Sequence, residues 1–317
     1  MMMRILVLAL FALPAFAQVT VQEYPLPPRH FAHDVWADAA PDGPVWISFQ
    51  RSGSLGRLDP KTGKVDIIPL GSGSSPHGVI AGPDGAPWLT DSGQNALVRV
   101  DPKTREVKKW PLPEGTGHTN LNTAIFDKAG IHWFTGQSGY YGRLDPASGE
   151  LKVFESPKGR GPYGIHATPD GTVYFASLAG SYVGRVDPKN YKVTVLEPPT
   201  RGQGARRVWS DSKGTLWVAE WNAGQLTRYV PSTGQWKSWK PPGESPKVYA
   251  VYVDETDKVW ASDWSRQVML RFDPATERFD SFRSTTEVSN VRQIHGRKGE
   301  IWTPESAADK VVVYRFK

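Results

Sequence analysis

The stretch GRLDPKTGK, Gly56–Lys64, returns along the chain in altered forms. It recurs as VRVDPKTRE (98–106), GRLDPASGE (142–150), GRVDPKNYK (184–192), TRYVPSTGQ (227–235) and LRFDPATER (270–278), and the sequence ends on YRFK. The arginines of these copies, Arg57, Arg99, Arg143, Arg185, Arg228, Arg271 and Arg315, are spaced by 42 to 44 residues. A second series keeps step with them: Trp46, Trp88, Trp133, Tyr174, Trp217, Trp260 and Trp302. Two registers running together over the chain define seven repeats.

One repeat reads as four short strands. In the second, HGVIAG is strand a, PDG a turn, APWLTD strand b, SGQN a loop, ALVRVD strand c, PKTRE a hairpin turn and VKKWPLP strand d. Asp-Pro followed by Lys, Thr or Gly is turn chemistry, since proline presets φ and glycine tolerates positive φ. Four strands in about 40–45 residues is the period of a β-propeller blade. The expected fold is therefore all-β, a seven-bladed β-propeller of four-stranded blades. The chain enters on VQEYPLP (21–27), which matches strand d, and leaves on VVVYRFK (311–317), which matches strand c. The N-terminal strand is thus expected to complete the last blade and close the ring, removing exposed sheet edges. The Trp series is expected in the core between blades.

The first residues, MMMRILVLALFALPAFAQ, combine Arg4, a short apolar run and an Ala-Phe-Ala site before Gln18. That pattern predicts a cleaved signal peptide over 1–17, export to the periplasm or medium, and one mature domain over 18–317. The apolar run is shorter than the ~20 residues a membrane span needs. With no cysteine, the exported chain is neither disulfide-stapled nor a thiol enzyme. Its net charge of +6 is scattered without a dense basic block, so no nucleic-acid partner is expected. A closed propeller needs no partner chain, and a monomer is expected.

In a propeller the start of strand a lines the central channel, and the loops after strands b and d open on the same face. Counting back eleven residues from the Trp or Tyr places His77, Asn122, Tyr163, Arg206 and Tyr249 at the channel mouth; the first and last blades differ in turn length, and there the equivalents are His33 and Arg292. Counting forward places Asp91, Glu220, Asp263 and Glu305 in a second ring, with Phe49, Gly136 and Ser177 in the other blades. A channel filled with water tolerates any polar residue, but convergence of titratable groups is how binding sites are built. His132, His166 and His295 fall within strands and are read as structural, whereas His118 lies in a loop near the mouth.

SPHGVIAGPDGAPWLTD (75–91), VRVDPKTREVKKWPLP (98–113) and LWVAEWNAGQLTRY (216–229) resemble the repeats of the streptogramin (virginiamycin B) lyase family of seven-bladed propellers. The resemblance implies elimination at the ester of a cyclic depsipeptide, with a histidine base and Mg²⁺ held by glutamates on the last blade. In SNVRQIHGRKGEIWTPES (289–306) Glu305 matches a family metal ligand, but Arg292 stands in the place of the base and Asn290 in that of another glutamate. Tyr249 replaces a substrate-contacting histidine. An arginine stays protonated and is no base.

Two principal readings follow. The first is a lyase-like enzyme acting on a small ester, lactone or similar ligand. His33 or His77 would be its base, Arg206 and Arg292 its anion clamps, and Tyr163, Tyr249 and Asn122 its substrate contacts. Asp91, Glu220, Asp263 and Glu305 would offer oxygens to Mg²⁺ or Ca²⁺. The second is a non-catalytic propeller binding an anionic small molecule or a protein loop through the same ring. A platform using only the outer blade surfaces is a third.

Overall fold

The Asp-Pro of the repeat folds as an Asx turn closing the hairpin between strands c and d. Asp59 Oδ1 accepts from the Lys61 N–H at 2.9 Å, and Asp101, Asp145, Asp187 and Asp273 repeat the contact. Ahead of it, the glycine of GRLDP answers a packing demand. A Cβ on Gly142 would lie 2.3 Å from the Phe134 ring, and one on Gly184 2.6 Å from Phe175. The aromatic ring of strand b therefore lies flat across strand c.

In the first six blades the two sequence registers are cross-strand partners, whereas in the seventh Trp302 pairs with Val313 and Arg315 with Glu300. Trp46 pairs with Arg57, Trp88 with Arg99, Trp133 with Arg143, Tyr174 with Arg185, Trp217 with Arg228 and Trp260 with Arg271. The indoles are buried, and several anchor a turn: Trp133 and Trp260 donate Nε1–H to Asp127 and Asp254 of their own blades at 2.8 and 2.7 Å.

The computed structural model describes residues 19–316, and the expected signal segment (1–17) lies outside them. Its twenty-eight strands form seven four-stranded antiparallel sheets, six of them continuous in sequence from Ala32–Ala37 through Arg278–Arg283. The seventh joins the termini, as the sequence leads one to expect: Thr20–Pro25 lies outermost, against Lys310–Arg315, then Glu300–Glu305 and His295–Arg297. Tyr24 faces Val311 and stacks on Trp302 with ring centroids 5.5 Å apart. Apolar clusters fill the wedges between neighbouring blades, and one unites Tyr24, Trp302, Val311 and Val313 with the first blade. No helix among the described residues is long and apolar enough to cross a membrane.

Candidate ligand site at the channel mouth

The innermost strand of the first six blades carries a bulge near its start: the register shifts between Ala32 and Val35, Pro76 and Gly78, Leu121 and Ala124, Pro162 and Ile165, Ala205 and Arg207, and Val248 and Val251. A bulge breaks the alternation of faces and re-aims side chains. Consecutive residues then serve the channel in two tiers. The upper tier is the expected ring from His33 to Arg292. The lower tier contains Asp34, Thr123, Arg207 and Gln293, none of which the counting from Trp singled out.

The upper tier has two arcs. Over blades 4 to 7 runs a cation–aromatic stack. The Arg206 guanidinium carbon lies 3.6 Å from the Tyr249 ring centre, 4.6 Å from Tyr163 and 4.7 Å from Trp221. Trp264 stacks on Tyr249 at 4.9 Å, and Arg292 lies 4.9 Å from Trp264 and 5.3 Å from Phe31. Arg206 Nη2 donates to Tyr163 Oη at 3.0 Å, and Arg292 Nη1 reaches Tyr249 Oη at 3.5 Å. The Nε–H groups of both arginines are buried without a partner.

The other arc, on blades 1 to 3, is imidazole and amide. His33 and His77 pack at 3.8 Å between ring centres, and His33 Nδ1 lies 2.9 Å from Asp34 Oδ1. Arg207 Nη1 donates to Thr123 Oγ1, whose hydroxyl donates to Asn122 Oδ1 at 2.6 Å. The Asn122 amide is thereby turned so that Nδ2–H donates to His77 Nε2 at 3.1 Å, which assigns the His77 proton to Nδ1. Burial holds His33 well below the usual imidazole range, reinforced by Arg292, Arg207 and Arg206. Burial likewise lowers His77, with His33 adding to it. Both are neutral imidazoles at pH 7.

Beneath the ring, Arg207 Nη2 meets Asp34 Oδ1 and Oδ2 at 3.0 and 3.3 Å across the channel. This buried pair forms a floor, and below it lies a cavity of about 30 Å³ beside Trp36, Trp209 and Gln293.

The sequence profile of the virginiamycin B lyase family matches residues 16–269. The chain belongs to that family. The match stops before the last blade, the one that carries Arg292. Among solved structures, virginiamycin B lyase from Staphylococcus aureus shares 18% identity at a TM-score of 0.85, covering 94% of this chain and 99% of that one. A structure described as streptogramin B lyase is 19% identical at the same TM-score, with 94% and 98% covered. The WD40 propeller domain of Doa1 follows the same fold at 12% identity and a TM-score of 0.76, with 94% and 97% covered. At such identities these likenesses are ones of fold. No curated protein matches the sequence.

The four acids of the second ring serve their own blades. Asp91 Oδ1 accepts from the backbone N–H of Ser75 and Gln94, and its Oδ2 from the Ser74 hydroxyl. Asp263 Oδ1 accepts from the backbone N–H of Lys247 and Ser265. Glu220 takes the Gln225 amide and Glu305 the Ser284 hydroxyl, each at 2.5 Å. Asp263, Glu220 and Glu305 each keep one buried oxygen without a partner. Among the described residues, the one group of three whose donor atoms lie within 4.8 Å of one another is His33, Asp34 and His77. Elsewhere, His118 is exposed, and His295 is buried between blades, accepting from the Ala37 N–H at 3.1 Å.

The sequence count reached the upper tier and missed Asp34, Arg207 and Thr123, each one residue further on. It also missed the aromatic wall. Trp221 and Trp264 directly follow Glu220 and Asp263 in the b–c loops, so a search of those first loop positions finds them.

Proposed function

We propose that this family member binds a small organic anion, a carboxylate, at the channel mouth. The observation that carries the reading is the state of Arg206 and Arg292. Both are half-buried, stacked on aromatic rings, hydrogen-bonded to tyrosine oxygens and left with unpartnered Nε–H groups. Guanidinium held this way presents its fork to a planar acceptor, and the match to carboxylate is bidentate. Three arginines against one aspartate give the mouth a positive field that favours such a ligand. Tyr163, Tyr249 and Asn122 supply further polar contacts.

A catalytic version rests on the His33–Asp34 contact. An imidazole whose Nδ1–H is taken by a carboxylate keeps Nε2 free as a base. The carbonyl of an ester or lactone would leave its developing negative charge on the same guanidiniums.

Neither version routes through Mg²⁺ or Ca²⁺. A hard cation wants about six oxygen ligands converging on one point. The four acids stand on separate blades, Asp91 and Asp263 bound to loop backbone and Glu220 and Glu305 to the side chains of Gln225 and Ser284, while Asp34 is already engaged by Arg207 and His33. The proposal includes an exported monomer, on the strength of the N-terminal pattern, and mature protein recovered from cells is expected to begin at Gln18.

The test is calorimetric titration of the purified protein with acetate, malate and a uronic acid, beside a thermal-shift series with chelator. Binding is expected for at least one carboxylate, with Arg206→Gln and Arg292→Gln each weakening it about 10- to 100-fold, the scale of a lost charge-assisted hydrogen bond. Carboxylate affinity unchanged in both variants would overturn the reading, and stability lost in chelator would restore a metal.

A further inference from the structure

Tyr163 and Tyr249 do more in this mouth than line it. Their hydroxyl oxygens lie 2.7 Å apart, on inner strands of blades 4 and 6, and both rings are almost fully buried. Each end of the pair carries a guanidinium: Arg206 Nη2 on Tyr163 Oη at 3.0 Å and Arg292 Nη1 on Tyr249 Oη at 3.5 Å. Arg207 adds a third, 5.5 Å from the Tyr163 ring centre. An inert phenol pair needs one partner per oxygen. Here each oxygen already receives a guanidinium N–H, so whichever hydroxyl donates along the 2.7 Å contact, the other's proton is left over. The shorter guanidinium contact, 3.0 Å against 3.5 Å, singles out Tyr163 as the acceptor and the holder of that proton.

We propose that Tyr163 and Tyr249 form a proton-transfer pair serving the bound anion, with Tyr163 the member that gives up and takes back the proton. The inference rests on the carboxylate reading above. The ligand class it implies is a carboxylate bearing an acidic hydrogen on the neighbouring carbon, such as a hydroxy acid or uronic acid. Tyr163 first releases its phenol proton to water at the mouth; the ligand's C–H bond then breaks as an O–H bond forms on the phenolate, and return of that proton to the carbon closes the cycle. The electron pair stays on the ligand as an enolate facing Arg206 and Arg292. Nothing is oxidised or reduced.

The electrostatics agree with the geometry. Burial alone raises a phenol, but Arg206, Arg207 and the Tyr249 hydroxyl outweigh it and hold Tyr163 below the ordinary tyrosine range. Tyr249 goes the other way, pushed up to about 12 by burial and by charge on Tyr163. The charged and titratable groups facing the pair are Arg206, Arg207, Arg292 and, edge-on to Tyr163 at 6.2 Å, the neutral His77.

The experiment is a pH titration of the intact folded protein, read on the near-ultraviolet phenolate band while circular dichroism confirms the fold. One of the eleven tyrosines is expected to ionise below the ordinary value of about 10. That component should vanish in Tyr163→Phe and move upward by a unit or more in Arg206→Gln, a variant that keeps the phenol if Tyr163→Phe does not fold. Acetate, at concentrations calorimetry shows to saturate, should also move it upward, because the carboxylate takes up charge on the same guanidiniums. The proposal fails if every tyrosine titrates at or above the ordinary value, if the early component survives Tyr163→Phe, or if bound acetate leaves it in place. A protein that binds acetate yet has no early phenol refutes this inference alone. A protein with the early phenol and no carboxylate binding refutes the ligand reading instead.

Discussion

At the scale of one residue, Glu220 shows what burial does to an acid whose partners are few. Asp91 and Asp263 meet backbone N–H donors, whereas Glu220 has a single amide on Oε2 and nothing on Oε1. Burial therefore pushes its carboxyl up to about 7, against the Gln225 amide and the nearby Thr227 hydroxyl, which pull it down. The native state then holds a proton that the unfolded chain, titrating near 4.5, releases earlier. The proton's contribution is full below the unfolded value and is lost as pH rises through about 7. Urea unfolding should show the wild type losing about 2 kcal/mol between about pH 5.5 and 8.5 relative to Glu220→Gln. Equal pH dependence in the two proteins would mean that Glu220 is solvated. His132 is another buried group of this kind, with neither ring nitrogen partnered, packed between Trp88 and Phe126 as an aromatic hydrocarbon would be.

At the scale of the element, the bulged inner strand is held by a hydroxyl from its neighbour in the sheet. Thr90 Oγ1 accepts the Gly78 N–H at 3.0 Å and donates to the Asn122 carbonyl of the next blade, so it closes the bulge and ties two blades together. Ser48, Thr135 and Ser262 repeat the device at the equivalent positions, while Ala176 and Ala219 stand without it in blades 4 and 5. Thr90→Val keeps the shape and strands a buried donor and a buried acceptor. It should lower unfolding free energy by about 2 kcal/mol, the scale of unsatisfied buried groups, measurable by urea titration. A loss near zero would show the bulge to be held by packing alone. The same bulge explains what the sequence hid. Period-2 alternation puts one residue of each inner strand into the channel, so His77, Asn122 and Arg206 are legible from the Trp spacing, and His33 and Arg292 once the different turn lengths of the first and last blades are allowed for. Asp34 and Arg207 enter because the bulge sends the next side chain inward as well, and no composition or motif marks that.

At the scale of the whole molecule, the repeat length and the matching ends made the architecture readable, because each blade repeats the same turn and wedge chemistry. Chemistry at the mouth was less readable because it arises between blades: the Asp34–Arg207 floor joins blades 1 and 5, and the tyrosine pair joins blades 4 and 6. Those contacts exist only if the ring is shut, which makes closure the condition for the site. The closing strand is held by its pairing with Lys310–Arg315, by Lys310 Nζ on Glu23 at 2.7 Å, by Tyr24 Oη donating to the Pro60 carbonyl at 2.9 Å and by the Leu26 N–H on the Asp309 carbonyl at 2.8 Å. Removing it would bare Val311, Val312 and Val313 along an unpaired edge, a template for strand addition. A chain begun at Gln18 should elute from size exclusion as a folded monomer, whereas one begun at Pro28 should aggregate or unfold and lose carboxylate binding with it. A monomeric Pro28 form that melts with the longer chain would show that six blades and a three-stranded seventh close the ring by themselves, and the velcro of the termini would then be incidental to the mouth.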